Sequence, residues 1–181
     1  FSPLSVKLKN IINKSNSNVS LIYIINSGHI DLHHWVNDEK IGGGRFISEV
    51  CHFIDYIIFL LGTDITKYNI STTKSQIDEC VSITFSFRSG SIATIHYFTN
   101  GNNKLPKERL EVYQGGNIYY LNNYKYLSKN NINGSILRIS QNKGYKEIIE
   151  NFRDSIKFNK KFPIPLDEIL LSSKILLELF E

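Results

Sequence analysis

Methionine is absent from the 181-residue chain, cysteine occurs only twice, and long apolar runs are missing. The two cysteines, Cys51 and Cys80, form no CxxC pair and are too few for a disulfide framework, which favours a reduced, cytoplasmic setting. The apolar stretch over residues 53–61 is interrupted by Asp55 and is far shorter than a membrane span. Because a translated chain starts with methionine and this one starts with Phe1, we expect a processed or excised piece of a longer protein.

The chain also lacks any cluster of like charges. Charged residues make up 21% of the chain and hydrophobic residues 41%, which is typical of a globular domain. The formal net charge of +4 comes with lysines that are scattered along the sequence, whereas nucleic-acid-binding domains concentrate positive charge on one face. The composition therefore argues against both a nucleic-acid-binding protein and a membrane protein.

Hydrophobic periodicity predicts four helices. Apolar residues recur at helical spacing after Ser2 and Pro3, so Ser2 is expected to cap the first helix, and Gly62 is a natural terminator of the second. The segment between the first strand and the second helix, residues 27–44, is expected to be irregular. The predicted helices cover residues 3–14, 45–61, 143–158 and 166–180.

Strand patterns occupy the rest of the chain. Residues 80–87 alternate apolar and polar side chains, and a turn at 88–91 joins them to a partner strand at 92–99. We predict an α+β fold, in which a large, mostly antiparallel open sheet carries helices packed on one face. Val81, Ile83, Phe85 and Phe87 are expected under the helices, and Ser82, Thr84 and Ser86 on a face that is solvated or paired with another subunit. The other predicted strands are 19–26, 109–113, 118–121 and, more weakly, 132–139.

A polar stripe on the second predicted helix carries the residues that indicate chemistry. Arg45, Ser48, Glu49 and His52 are separated by three, four and seven positions, so they share one side of the helix. A histidine there can exchange a proton near neutral pH, and Glu49 and Arg45 can bias its charge or bind a polar substrate. The triplet Gly42-Gly43-Gly44 leaves the backbone before the helix free to approach a ligand.

Two other interpretations of this stripe stay open. The helix can simply bury one face and hydrate the other, with a hydrogen-bonded histidine. Glu49 and His52 also match the Glu-x-x-His element of di-iron bundles, but those sites need two such elements on a four-helix bundle, so we expect no metal. His29 and His33 lie four residues apart in a loop, which is a weak metal signal.

At these residues the sequence resembles the C-terminal domain of the Gfo/Idh/MocA oxidoreductase family, which includes glucose–fructose oxidoreductase and inositol dehydrogenase. The glycine triplet and the element His52-Phe53-Ile54-Asp55 match the spacing of the family. The resemblance implies that residues 1–181 are one C-terminal domain for substrate binding and oligomerisation, with a sheet like that of glyceraldehyde-3-phosphate dehydrogenase, and that a Rossmann domain is missing. Further similar segments are 1–3, 26–30, 34–35, 90–95 and 106–112.

The resemblance also implies an activity. The full-length protein is expected to be an NAD(P)-dependent oxidoreductase acting on a CH–OH group of a sugar, nucleotide-sugar or polyol. His52 falls at the acid/base position of the family, with Glu49 beside it. Substrate-binding roles are expected for Arg45, Ser48, Trp35 and Lys107.

The cofactor is expected to be NAD or NADP in the full-length protein, and none on this chain alone. The dinucleotide fingerprint and the Glu-Lys-Pro motif of the family belong to the missing domain, and Gly42-Gly43-Gly44 is not a GxGxxG motif. The exposed face of the sheet is expected to join the subunits of a homo-oligomer.

Alternatives to this activity remain. Ser48 replaces the aspartate that the family often has four residues before the histidine, which favours a non-catalytic oligomerisation or binding module. A stand-alone sheet domain unrelated to redox chemistry is the third possibility. For single residues, Lys107 can be a solvated strand lysine and Trp35 can belong to the core.

Overall fold

The computed structural model describes residues 1–31, 34–73, 80–130 and 135–180. Its helices are α1 (Pro3–Ile12), α2 (Glu39–Gly42), α3 (Arg45–Leu61), α4 (Tyr145–Lys157) and α5 (Leu166–Phe180). Its strands are β1 (Ser20–Asn26), β2 (Ile65–Thr72), β3 (Val81–Phe87), β4 (Ile92–Phe98), β5 (Glu108–Gln114), β6 (Asn117–Asn122), β7 (Tyr126–Lys129) and β8 (Ser135–Arg138). No helix within these ranges is both long enough and apolar enough to cross a bilayer.

The strands of the described ranges form one eight-stranded sheet in the order β2-β3-β4-β1-β5-β6-β7-β8. β1 pairs in parallel with β4, from Ser20 opposite Ile92 to Asn26 opposite Phe98. Its other neighbour, β5, is antiparallel and places Glu108 opposite Ile25. All the other pairs are antiparallel. The predicted α+β fold with a mostly antiparallel open sheet is confirmed.

The core lies between one face of the sheet and the helices. Burying each large apolar side chain there contributes about 1.5–3 kcal/mol relative to leaving it exposed. The prediction for the apolar face of β3 is confirmed, because all four of its residues are buried. Fully or nearly fully buried residues include Leu4, Leu8, Tyr23, Ile25, Val50, Ile54, Ile57, Val81, Ile83, Phe85, Phe87, Ile95 and Tyr97.

The opposite face of the sheet carries no helix among the described elements, and its side chains on β1 and β4 are half-buried or exposed. Ile22 and Ile24 of β1 and Phe98 of β4 give this open face an apolar centre. His96 of β4 lies there too and is hydrogen-bonded to Ser82 of β3 at 2.9 Å. Burial of the imidazole lowers the pKa of His96 from its usual value.

The start of α1 differs from the prediction. Ser2 occupies the N-cap position, but its hydroxyl makes no capping hydrogen bond and its Oγ is buried without a partner among the described residues. The Ser2 backbone instead packs against Gly144, where an added Cβ would lie 2.5 Å from Ser2 N. Packing against Gly144, with Pro3 in the first turn, therefore fixes the helix start rather than a side-chain cap.

The segment predicted to be irregular contains two short helical turns. One is a 3₁₀ turn over Trp35–Asn37, where His34 Nδ1 accepts a hydrogen bond from Val36 N, and the other is α2. Turns of three or four residues are too short to show a hydrophobic period, so the sequence pattern misses them. His33 and residues 132–134 of the weak strand candidate lie outside the described residues, and β8 covers residues 135–138 of that candidate.

Candidate functional site

A cleft of about 470 Å³ opens beside the polar side of α3. α3 contributes Glu49, His52 and Asp55, which fall on one side of the helix because three or four residues make one turn. Lys107, just before β5, and Lys143, just before α4, add positive charge. Aromatic residues line much of the remaining surface: Phe1, Tyr23, Phe53, Tyr56, Phe59, Tyr124 and Tyr145.

The structure brings three of the six predicted site residues to this cleft. They are Glu49, His52 and Lys107. His52 is exposed, so its imidazole is not packed into the core. Its role as an acid/base remains a prediction, but its position leaves the ring accessible to a molecule in the cleft.

Glu49 is fixed by partners on two other segments. Its Oε2 accepts hydrogen bonds from Ser27 Oγ at 3.1 Å and from Lys107 Nζ at 3.2 Å. Burial alone would raise the pKa of Glu49, but the charge of Lys107 and hydrogen bonds from Lys107 and Ser27 outweigh burial and lower the pKa. Glu49 is therefore a carboxylate at neutral pH, and it can accept a hydrogen bond from a substrate hydroxyl.

Arg45 lies behind Glu49 and does not line the cleft. Its guanidinium donates to Tyr97 Oη at 2.7 Å, to Ser27 Oγ at 3.0 Å and to the carbonyl of Gly28 at 2.6 Å. Burial raises the pKa of Tyr97 to about 12, so its hydroxyl stays protonated and donates to Ser27. Arg45 thus braces residues 27–28, of which Ser27 holds Glu49. A direct role for Arg45 in substrate binding stays a prediction.

Ser48 and Trp35 also lie away from the cleft. Ser48 Oγ donates to the carbonyl of Gly44 at 2.8 Å, one helical turn back along its own helix. Trp35 is 57% exposed, so it is not a core residue, and its ring lies beside the ring of His34 at a centroid distance of 5.8 Å. Their substrate-binding roles remain predictions.

Sequence reasoning missed a second polar cluster on the cleft wall, centred on Glu108. Lys143 Nζ donates to Glu108 Oε1 at 2.7 Å, and Tyr124 Oη donates to Oε2 at 2.8 Å. Tyr23 Oη also donates to Oε2. The available sequence signal was the position of Glu108, since this carboxylate shares the inward face of β5 with Leu110 and Val112.

Both tyrosines of this cluster remain protonated donors. Burial, with the nearby tyrosine hydroxyls and the charge of Glu108, raises the pKa of Tyr23 and of Tyr124 well above the usual range. Burial also raises the pKa of Asp55 on α3, and the charge of His52 offsets the shift only in part. The cleft therefore combines hydroxyl donors, carboxyl groups and one exposed imidazole.

The described residues do not assemble a metal site. No group of three or more histidine, cysteine or acidic side chains within them is placed to hold an ion. A dinucleotide site does not fit either, because the glycine triplet precedes α3 directly, with no strand leading into it, and lacks the GxGxxG spacing. The chemistry that these residues offer is proton exchange and hydrogen bonding.

Comparison with known families decides the relationship. Residues 21–115, just over half of the chain, match the model of the GFO/IDH/MocA C-terminal domain. The chain belongs to the GFO/IDH/MocA C-terminal domain family. The predicted resemblance is confirmed, and the matched region includes His52, Glu49 and Lys107. No curated protein matches the sequence.

Solved structures share the fold of this GFO/IDH/MocA domain at low identity. An aldose-aldose oxidoreductase from Caulobacter crescentus, complexed with glycerol, superposes with a TM-score of 0.77 at 12% identity, over 98% of this chain and 57% of its own. A UDP-N-acetylglucosamine 3-dehydrogenase from Acidithiobacillus ferrooxidans gives 0.73 at 10%, over 98% and 58%. An oxidoreductase from Thermotoga maritima gives 0.72 at 19%, over 96% and 54%.

The chain therefore spans little more than half the length of these structures. Its fold is that of the C-terminal domain found in oxidoreductase-like and dehydrogenase-like proteins. At these identities the likeness concerns the fold alone.

Proposed function

We propose that this chain is the substrate-side domain of an NAD(P)-dependent oxidoreductase that acts on a CH–OH group of a sugar, nucleotide-sugar or polyol. The observation that carries the proposal is the exposed imidazole of His52 in an aromatic-lined cleft of a GFO/IDH/MocA domain. Aromatic rings and paired hydrogen-bonding groups are suited to the faces and hydroxyls of a polyhydroxylated ligand.

The proton step belongs to residues of this chain. When a hydroxyl-bearing carbon is oxidised, the hydroxyl proton must leave, so a base must lie within hydrogen-bond reach. His52 is that base, and in the reverse direction its protonated ring returns the proton. Glu49, held as a carboxylate by Lys107 and Ser27, orients a neighbouring substrate hydroxyl.

NAD or NADP would accept or supply the hydride, and we place its site in polypeptide that precedes Phe1. The absence of a fitting glycine motif in the described residues and the partial coverage of the solved structures support this placement. The free thiols Cys51 and Cys80 fit a reducing, cytoplasmic compartment.

Turnover of NAD(P)H by the full-length protein, with aldoses, inositols and nucleotide-sugars as substrates, tests the proposal. His52→Ala is expected to lower kcat by roughly 100-fold or more, because general acid–base catalysis contributes about that much. His96→Asn, on the opposite face of the sheet, is the matched control and should keep its activity. Unchanged turnover of His52→Ala with a native circular dichroism spectrum would remove the assigned role.

A second candidate function is a non-catalytic oligomerisation or binding module. The observation that favours it is Ser48, which replaces the usual aspartate and bonds to Gly44 in its own helix.

In either case we propose that the open face of the sheet joins two copies of the chain, because Ile22, Ile24 and Phe98 form its centre. Sedimentation velocity tests this contact, because Ile24→Asp should dissociate the dimer. A protein that forms the dimer but does not turn over NAD(P)H would favour the second function.

A further inference from the structure

The cleft beside α3 contains two lysine–carboxylate pairs from different parts of the chain. Lys107 Nζ lies 3.2 Å from Glu49 Oε2, and Lys143 Nζ lies 2.7 Å from Glu108 Oε1. All four residues line the cleft. Both carboxylates are largely shielded from solvent, since the Glu49 and Glu108 side chains are 18% and 7% exposed. Buried charges are costly unless they are paired, so each carboxylate holds its lysine beside it.

The pairing leaves the cleft without an excess of positive charge. Within the described ranges, the basic side chains on its wall are Lys107, Lys143 and His52, and a carboxylate matches each lysine. Asp55 can add only negative charge, and His52 has to be neutral to accept a proton in the proposed reaction. A phosphate or carboxylate group of a ligand would therefore meet no uncompensated lysine here, whereas anion sites supply such a cation.

Tyr124 provides independent evidence that the Glu108 end of the cleft serves a ligand. Its φ is +55°, in the left-handed region that large side chains disfavour and glycine adopts freely. From this position, in the turn between β6 and β7, the Tyr124 hydroxyl donates to Glu108 at 2.8 Å. Lys143 Nζ lies 5.5 Å from the centre of the Tyr124 ring. Strained residues concentrate at binding sites, where the surrounding structure holds them in place.

Each end of the cleft presents a hydrogen-bond donor close to an acceptor. An ammonium group has three N–H donors, a carboxylate accepts about four hydrogen bonds, and a tyrosine hydroxyl can accept as well as donate. A ligand hydroxyl at one end can therefore bond to both Lys107 and Glu49. At the other end it can bond to Lys143 and to the oxygen of Tyr124. Because a hydroxyl is itself both donor and acceptor, it satisfies such a pair without adding charge.

We propose that the two lysine–carboxylate pairs select an uncharged polyhydroxylated substrate, a free sugar or polyol, against phosphorylated and nucleotide-linked sugars. This inference rests on the proposed function and narrows its substrate class. Lys107 and Glu49 hold one hydroxyl on the side of α3 that carries His52, and Lys143 with Tyr124 holds a second. Selectivity arises because a phosphate would lose hydration in the cleft without gaining an unpaired cation.

Isothermal titration calorimetry of the full-length protein, with and without NAD and NADP, tests this selectivity. The full-length protein is required because polypeptide before Phe1 turns its amino group, which is charged in the 181-residue chain, into a peptide nitrogen. Glucose is compared with glucose 6-phosphate and UDP-glucose, and myo-inositol with myo-inositol 1-phosphate. The uncharged ligand of each set should bind with a Kd at least about tenfold lower than its charged counterparts.

Removing one carboxylate should shift the selectivity toward the phosphorylated ligand. Glu108→Gln keeps the size of the side chain and leaves the charge of Lys143 uncompensated. The ratio of the Kd for the phosphate to the Kd for the uncharged ligand should then fall at least about fivefold. Glu49→Gln should have the same effect through Lys107, and tests the inference even if Glu108→Gln does not fold. Glu111→Gln removes the same charge from the opposite face of β5 and should leave the ratio unchanged.

Equal or tighter binding of the phosphorylated ligands by the unmodified protein would overturn the inference, as would a ratio that neither Glu108→Gln nor Glu49→Gln changes. Failure to bind glucose and myo-inositol at all would also overturn it. Failure of the proposed function gives a different result. Selective binding of the uncharged ligands without NAD(P)H turnover would keep the inference and reject the oxidoreductase. Preferential turnover of UDP-glucose or glucose 6-phosphate would keep the oxidoreductase and reject the inference.

Discussion

Lys143 donates a 2.7 Å hydrogen bond to Oε1 of Glu108, whose side chain is only 7% exposed. Tyr23 and Tyr124 donate to the other oxygen of the same carboxylate. Glu108 thereby joins β1, the turn after β6 and the segment before α4. A buried carboxylate that loses one of these donors is costly because its charge is no longer compensated.

Lys143→Met should therefore destabilise the chain. We expect a loss of roughly 2 kcal/mol in the free energy of unfolding, below the range for fully buried pairs because Lys143 is 30% exposed. Urea denaturation measures the change. Lys146→Met, at an 81% exposed position on α4, should cost less than about 0.5 kcal/mol. Adding Glu108→Gln to Lys143→Met should recover part of the lost stability, because the buried carboxylate charge is removed. Equal losses for Lys143→Met and Lys146→Met would contradict this prediction.

Because Lys107 is paired with Glu49, we expect the free energy of unfolding to decrease at acidic pH. The pKa of Glu49 is below its usual value of 4.5 in the folded chain, so the carboxylate contributes stability above that pH and loses it as pH falls through the folded pKa. Lys107→Met removes the charge and leaves the burial, so the pKa of Glu49 should rise. Carbon-detected NMR titration of the Glu49 carboxyl measures the shift, and Lys104→Met, at an exposed position of the same loop, should leave it unchanged.

Arg45 is predicted to be a stability determinant. Arg45→Met removes the guanidinium that donates to Ser27, Tyr97 and the carbonyl of Gly28. The expected loss is about 2–3 kcal/mol because the lost bonds involve a charged group that is only 13% exposed. Arg153→Met, at a 63% exposed site, is the control and should change stability by less than about 0.5 kcal/mol. A fully stable Arg45→Met would mean that the guanidinium is available for substrate instead.

Alanine substitutions at two glycines distinguish the cost of a steric clash from the cost of a side chain at positive φ. Gly144→Ala and Gly116→Ala both place a side chain at positive φ, +84° and +73°, which costs roughly 1–2 kcal/mol at each position. Only at Gly144 does the new Cβ approach backbone atoms, those of Phe1 and Ser2 at 2.5 Å. Thermal denaturation should therefore show a larger loss for Gly144→Ala, and similar losses would indicate that the Phe1–Ser2 segment moves aside freely.

The parts of the fold that follow from local periodicity could be predicted from the sequence. The predicted helix over 45–61 and α3 have the same bounds, and the strand over 80–87 differs from β3 by one residue. Both segments are long and show a regular pattern of apolar residues, which is the condition under which a single sequence is informative. β2 and β7 were not individually predicted, because their polar faces weaken the alternation.

The site was predicted only in part for a similar reason. Spacing along one helix placed His52 and Glu49 on a common side, and both line the cleft. Spacing could not show that Arg45 turns toward Tyr97, or that Lys143 reaches Glu108 from 35 residues away. Those contacts depend on the strand order, which no local pattern encodes.

The central position of β1 has a consequence for how the polypeptide is assembled during synthesis. Its parallel neighbour begins 72 residues later, at Ile92 opposite Ser20, and Glu108 pairs with Ile25 later still. Neither edge of β1 can therefore form its hydrogen bonds until most of the chain has left the ribosome. Contacts of such long sequence separation also slow folding. A nascent chain stalled before Ile92 would expose an apolar strand without partners, so early termination should produce species that aggregate or recruit chaperones.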